Sequence, residues 1–171
     1  MKDALLLVDV VNDFRHEDGE ALLASFRQRQ PRLVEALEWA RGSIPVLYAN
    51  DDWGRWDGNA PGLVRDAVVD GLGGELVAKV APADGEPIVL KPRYSAFDST
   101  PLALLLESLE IERILLAGMA TEMCVAQTAI AGRELGYKVT VLAGACACVD
   151  DRLEQIALEY LGDVVGAYIE R

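Results

Sequence analysis

The sequence predicts a single three-layer α/β/α domain over residues 1–171, doubly wound around a mostly parallel six-stranded sheet. Six short apolar segments recur along the chain, and the first, ALLLVDVV (4–11), is nearly continuous, as expected of a strand covered on both faces. Segments with helical spacing alternate with them, which implies right-handed crossovers between parallel strands. A length of 171 residues suits one such domain and leaves no room for a second.

The segments between the strands carry the predicted helices. Residues 20–41 have helical spacing, and Pro31 is expected to divide them into two helices. Residues 60–80 predict short helices interrupted by a pair of glycines. Thr100 and Pro101 are typical of an N-cap followed by proline at the first helical position, opening a leucine-rich helix. Further helices are predicted at 122–136 and 151–161, and the strands at 4–11, 44–50, 86–91, 112–120, 137–145 and 163–169.

The composition excludes several classes of partner. The net charge is −12, with acidic residues spread along the chain, so nucleic acids and anionic membrane surfaces are not expected to bind. No apolar run approaches the roughly 20 residues that span a bilayer. The odd count of three cysteines favours reduced thiols and a cytoplasmic location. Cys146 and Cys148 are interpreted as buried structural residues rather than zinc ligands.

Three reactive side chains stand at the predicted carboxyl ends of strands. Asp9 ends the first strand, Lys91 ends the third, and the fourth leads directly into Cys124. In open parallel sheets ligands bind at this edge, so an acid, a cation and a thiol are expected to converge there. Each also has a structural explanation: a capping Asp, a solvated Lys or a packed Cys. The position of Cys124 in the first turn of a helix favours a thiolate instead.

The histidine count restricts the chemistry. His16 is the only histidine, which excludes zinc motifs that need two, and no Gly-x-Ser-x-Gly elbow is present. The glycine-rich motif of dinucleotide-binding folds is missing after the first strand, so no nucleotide cofactor is expected. If Cys124 is a nucleophile, Asp9 is therefore the natural candidate for its base. Lys91 would then stabilise both the carboxylate and the thiolate.

These residues lie in motifs that resemble the isochorismatase-like cysteine hydrolases, which include nicotinamidases, N-carbamoylsarcosine amidases, ureidoacrylate hydrolases and isochorismatases. The likeness covers nearly the whole chain, with the motifs in the family's order. It implies an isochorismatase-like fold and a catalytic triad of Asp9, Lys91 and Cys124. The motifs are LLLVDVVNDF around Asp9, KPRYSAF beginning at Lys91, and AGMATEMCVAQTAIAGRELGYKVTVL around Cys124.

The resemblance also implies a mechanism. Asp9 takes the thiol proton, the thiolate attacks a carbonyl carbon, an amine leaves, and water hydrolyses the thioester. A non-proline cis peptide is expected at Met119–Ala120, with the amides of Ala120 and Cys124 forming the oxyanion hole.

Further residues are expected to contact the substrate. Phe14, Trp53 and Tyr94 fall where family members wall the pocket with aromatics, although each is equally well explained as a core residue. Asp52, Met119 and Thr121 are also expected at the pocket by the resemblance. Nicotinamidases bind a metal through a segment like D-W-H-P, whereas this chain has NDDWGRW with Gly54 in place of the first histidine. No metal is therefore expected, and nicotinamidase activity is disfavoured.

The sequence leaves three functions open. The leading one is a metal-independent cysteine hydrolase that cleaves an amide, carbamoyl or ureido C–N bond of a small molecule. The second is hydrolysis of an isochorismate-like vinyl ether with Asp9 as general acid and Cys124 as a bystander. The third is a non-catalytic small-molecule binding protein. By family analogy the chain is expected to form a homo-oligomer, a dimer or a tetramer.

Overall fold

All six strands lie in one parallel sheet in the computed structural model, which describes residues 1–171. Their order across the sheet is β3-β2-β1-β4-β5-β6, and every neighbouring pair is parallel. The predicted single-domain α/β architecture is thereby confirmed. The strands are β1 (Asp3–Val8), β2 (Val46–Asp51), β3 (Ile88–Lys91), β4 (Arg113–Met119), β5 (Lys138–Ala147) and β6 (Tyr168–Glu170).

Helices cover both faces of the sheet, and the sheet divides the apolar core into two clusters. Leu5 and Leu7 of β1 belong to one apolar cluster, while Leu6 and Val8 belong to the other. Burial on both faces explains why β1 is continuously apolar rather than alternating. The helices are α1 (Gly19–Arg41), α2 (Ala60–Val69), α3 (Gly74–Val77), α4 (Leu102–Ser108), α5 (Ala126–Glu134) and α6 (Asp151–Tyr160).

The expected break at Pro31 is wrong, because α1 runs through it as one helix of 23 residues. A proline inside a helix costs about 3 kcal/mol. Phe26, before the proline, and Leu33 and Leu37, after it, are all buried in the same core cluster. Burying three large apolar side chains contributes more than this cost, at about 1.5–3 kcal/mol each.

Other boundaries also differ from the predictions: β1 ends at Val8 rather than at residue 11, and two further segments depart as follows. The final strand begins only at Tyr168, because Leu161–Val165 continues α6 as a π-helical turn that ends at Gly166 with φ of 75°. Thr100 is not the N-cap of α4, which is Pro101. The Thr100 hydroxyl lies one residue before this N-cap and accepts a hydrogen bond from the Leu102 amide.

The strand order reverses between β1 and β4, the point where open α/β sheets bind ligands. Gly118 of β4 lies so close to β1 that a Cβ atom there would be 2.1 Å from the carbonyl oxygen of Val8. Its φ of 125° also requires glycine. The carboxyl ends of β1 and β4 are therefore held side by side. No helix in the structure combines the length and apolar character needed to cross a membrane.

Candidate active site

Asp9 follows β1 directly and has a left-handed backbone, with φ of 52°. Its amide donates to the carbonyl oxygen of Ala49, and its carboxylate Oδ1 accepts the Asp51 amide at 2.8 Å. A non-glycine residue in this conformation costs about 1–3 kcal/mol and is concentrated at functional sites. The two hydrogen bonds to β2 hold the strained residue with its carboxylate at the sheet edge.

Lys91 is the last residue of β3, and its side chain is fully buried. Its Nζ lies 2.8 Å from Oδ2 of Asp9 and 3.4 Å from Sγ of Cys124. The third contact is with the carbonyl oxygen of Arg93, at 3.1 Å. An ammonium has three donors, and each has a partner here. Lys91 therefore links the acid and the thiol, the convergence that the strand ends indicated.

Cys124 lies in a five-residue π-helical turn, Thr121–Val125, that joins β4 to α5. The Met119–Ala120 peptide bond before this turn is cis, at the bond that the family resemblance indicated. Cys124 and Ala120 both line a cavity of about 440 Å³ at the carboxyl ends of the strands. The assignment of their amides to an oxyanion hole stays a prediction.

The protonation of the site differs from the expected thiolate. Burial and the Asp9 carboxylate raise the pKa of Cys124 to about 12, although Lys91 opposes the shift. Burial also raises the pKa of Asp9, again against the charge of Lys91. Burial lowers the pKa of Lys91, but the charges of Asp9 and Cys124 outweigh it and the net shift is upward. The raised pKa of Cys124 favours the thiol over the thiolate in this geometry.

Five of the residues predicted to form the site line this cavity: Asp9, Trp53, Met119, Ala120 and Cys124. Lys91 lies behind Asp9, fully buried. Most of the remaining wall comes from the loop after β1 and from the end of β2. The other lining residues are Val11, Asn12, Asp13, Arg15, His16, Asp18, Leu22, Asn50, Asp51, Met123 and Val149.

Phe14 and Tyr94 do not line the cavity, although the sequence placed them at the pocket. Phe14 is buried, and its ring packs 5.7 Å from that of Phe26. The side chain of Tyr94 is exposed on the surface. Phe14 is therefore a core aromatic residue, the second of the two explanations that its sequence position allowed.

Asp52 and Thr121 also lie outside the cavity wall. The Asp52 carboxylate accepts the amides of Gly54 and Trp56, so it orders the loop that carries Trp53. This role accounts for an aspartate at this place in a loop without histidine. Asp52 therefore acts on the cavity indirectly, through the position of Trp53.

Thr121 belongs to a polar network behind the Thr121–Val125 turn, and the sequence did not reveal this network. Its buried hydroxyl lies 3.1 Å from the Ala147 carbonyl oxygen and 2.8 Å from the Glu154 carboxylate, which also pairs with Arg29 at 3.0 Å. The Glu122 carboxylate accepts two amides at the start of α6. The network fixes the turn to β5, α1 and α6. No local sequence signal marks it, because its members come from distant segments.

The sequence did contain a signal for the missed cavity residues. Asn12, Asp13, Arg15, His16 and Asp18 form a polar run directly after the first strand. Loops at the carboxyl ends of parallel strands supply ligand contacts. The run was therefore a better predictor of the cavity wall than the aromatic residues.

A family model described as Isochorismatase domain matches residues 3–170 of the chain. The isochorismatase family protein YaaI of Bacillus subtilis (strain 168) is 30% identical, over 97% of this chain and 92% of that protein. The ureidoacrylate amidohydrolase RutB of Stutzerimonas stutzeri (strain A1501) is 31% identical, over 83% of this chain and 68% of that protein. The nicotinamidase/pyrazinamidase PncA of Bacillus subtilis has a similar crystal structure, with a TM-score of 0.79, 26% identity and complete coverage of both chains.

Proposed function

The chain belongs to the isochorismatase family, and we propose that it is a cysteine hydrolase of small molecules that contain an amide, carbamoyl or ureido C–N bond. The observation that carries this proposal is the contact of Lys91 with both Asp9 and Cys124, at 2.8 and 3.4 Å. A binding protein would not need to bury an acid, a cation and a thiol together, because burying charges is costly.

In the first half of the reaction, Asp9 acts as the general base. The Cys124 thiol gives its proton to the Asp9 carboxylate as sulfur attacks the carbonyl carbon. Burial raises the pKa of Asp9, which makes its carboxylate a stronger base than an exposed one. Lys91 stabilises the thiolate as it forms. The carbonyl oxygen becomes an oxyanion, for which the amides of Ala120 and Cys124 are the proposed donors.

The second half regenerates the thiol. As the C–N bond breaks, Asp9 gives the proton to the leaving nitrogen, and a thioester to Cys124 remains. Water then attacks the thioester carbon, with Asp9 accepting one of its protons. The C–S bond breaks, and that proton passes from Asp9 back to sulfur. The products are an amine or ammonia and a carboxylic or carbamic acid, and no cofactor enters the balance.

The relatives and the cavity support a small C–N substrate. One relative is named an ureidoacrylate amidohydrolase, and a structural neighbour is named a nicotinamidase/pyrazinamidase. The cavity of about 440 Å³ has the size of small-molecule pockets. Cys124 lines it directly, which is the position a nucleophile needs and a bystander does not.

Ammonia release from a panel of small amides, ureido acids and carbamoyl amines tests the proposal. Cys124→Ala should abolish turnover of every active compound while the protein stays folded by circular dichroism. Cys148→Ala is the matched control, because it removes a thiol that does not line the cavity, and it should retain activity. Undiminished ammonia release by the Cys124 variant would show that the thiol is a bystander and would refute the covalent mechanism.

A further inference from the structure

The active-site cavity is lined by more carboxylates than cations. The charge of Asp9 is balanced by Lys91, at 2.8 Å. Asp13, Asp18 and Asp51 also line the cavity, and none of the three forms a salt bridge within the protein. A bound molecule therefore meets a negative potential beyond the catalytic pair.

Arg15 is the only guanidinium in the cavity wall, and it is directed elsewhere. Its Nε and Nη2 donate to the carbonyl oxygen of Asp70, at 3.3 and 2.8 Å. Asp70 is the residue that caps the C-terminal end of α2. Arg15 is therefore a tether between the loop after β1 and α2 and offsets only part of the negative charge.

Asp51 is the carboxylate best placed to contact a substrate. It ends β2 beside the catalytic acid, since its amide donates to Asp9. Its Oδ1 accepts the Trp53 amide at 2.6 Å, while its Oδ2 has no hydrogen-bond partner in the protein. The residue is half-buried. A carboxylate that is partly removed from water without a cation is unfavourable, and a ligand cation would compensate it.

Resting on the proposed function, we infer that the substrate carries an ammonium group that pairs with Asp51, and that carboxylate-bearing amides are poor substrates. The Trp53 ring already has the Arg55 guanidinium over it, 5.1 Å from the ring centroid, so the preference rests on Asp51. The overall charge of −12 acts in the same direction during diffusional encounter. A ureido acid would instead place a further negative charge among Asp13, Asp18 and Asp51.

Three primary amides of similar shape test this inference: β-alaninamide (cationic), butanamide (neutral) and succinamate (anionic). The readout is kcat/KM from ammonia release for the wild type and for Asp51→Asn. Asparagine retains an oxygen for the Trp53 amide, so the loop should keep its conformation. Asp163→Asn is the control, because it removes one exposed carboxylate outside the cavity.

We expect kcat/KM for the cationic amide to exceed that for the anionic amide at least tenfold. Asp51→Asn should reduce that ratio by about tenfold, the order expected for one ion pair in partly aqueous surroundings. Asp163→Asn should leave it unchanged. A preference for succinamate, or a ratio that Asp51→Asn does not alter, would overturn the inference.

Binding to Cys124→Ala protein separates this inference from the proposed hydrolysis. If no amide is turned over, the proposed function fails, but calorimetric titration of the three compounds still ranks them. The cationic amide should bind more tightly than the anionic one, and the difference should shrink in the Asp51→Asn, Cys124→Ala double variant. Equal binding, absent binding or the reverse order would refute the role of Asp51.

Discussion

Replacing Lys91 by methionine removes the only ammonium that pairs with the buried Asp9 carboxylate. Methionine fills the space of the aliphatic stem, so the loss is mainly electrostatic. Breaking a buried ion pair by removing one partner costs about 3–5 kcal/mol. The protein has one way to limit this cost, which is to protonate Asp9 in the folded state.

Protonation makes the cost depend on pH. Holding Asp9 neutral costs about 1.4 kcal/mol for each pH unit above its ordinary pKa near 4. The loss of unfolding free energy should therefore be about 4 kcal/mol at pH 7 and about 1.5 kcal/mol at pH 5. The sign follows from linkage: the folded variant keeps a proton that the unfolded chain releases, so its relative stability rises as the pH falls.

Urea denaturation of the wild type and Lys91→Met at pH 5 and pH 7, followed by circular dichroism, measures both values. The Asp9→Asn, Lys91→Met double variant is the matched control, because it removes the unpaired charge while asparagine still accepts the Asp51 amide. It should recover most of the stability lost by the single variant. Equal losses at the two pH values, or a double variant as unstable as the single one, would refute a buried ion pair at this site.

Three other perturbations have defined outcomes. Because the pKa of Cys124 is raised to about 12, iodoacetamide should label this thiol slowly at pH 7. The labelling rate, followed by mass spectrometry, should rise about tenfold with each pH unit toward 12. A rate that levels off below pH 8 would contradict the raised pKa. Glu154→Gln leaves the Arg29 guanidinium without its carboxylate, so we expect a stability loss of about 1–3 kcal/mol and a fall in kcat rather than a rise in KM. The exposed Glu159→Gln serves as control, and similar effects in both would contradict a role for the network. Gly118→Ala should destabilise the fold by more than about 4 kcal/mol in urea unfolding, and a smaller loss would show that β4 can move away from β1.

The convergence of the three proposed catalytic residues could be predicted because their placement depends on local patterns. Strand periodicity positions Asp9, Lys91 and Cys124 at strand ends, and parallel topology brings such ends to one edge. The protonation of Cys124 could not be predicted in the same way. Proximity to a helix start favours a thiolate, but burial depth and the distance to Asp9 depend on packing between distant segments.

The differences in the fold have similar causes. Local propensity predicts a break at Pro31, but apolar residues on both sides of it pack into one core and keep the helix continuous. The segment after α6 has the composition of a strand, yet most of it forms a π-helical turn. Leu161, the first residue of this turn, is buried in one of the two core clusters. In both cases tertiary burial overrides the local preference.

The contact between Gly118 and Val8 also has a consequence for laboratory evolution. A side chain at Gly118 would push apart the ends of β1 and β4 that carry Asp9 and Cys124, so libraries at this position should yield almost no active clones. The 52–58 loop is the opposite case, since Gly54 and Gly58 have no atoms within 4 Å of an added Cβ. Both glycines have positive φ, so asparagine, which tolerates that conformation, is the first replacement to try. Diversifying this loop would alter the wall beside Asp51 and leave the reaction chemistry untouched, which makes it the natural starting point for a changed substrate range.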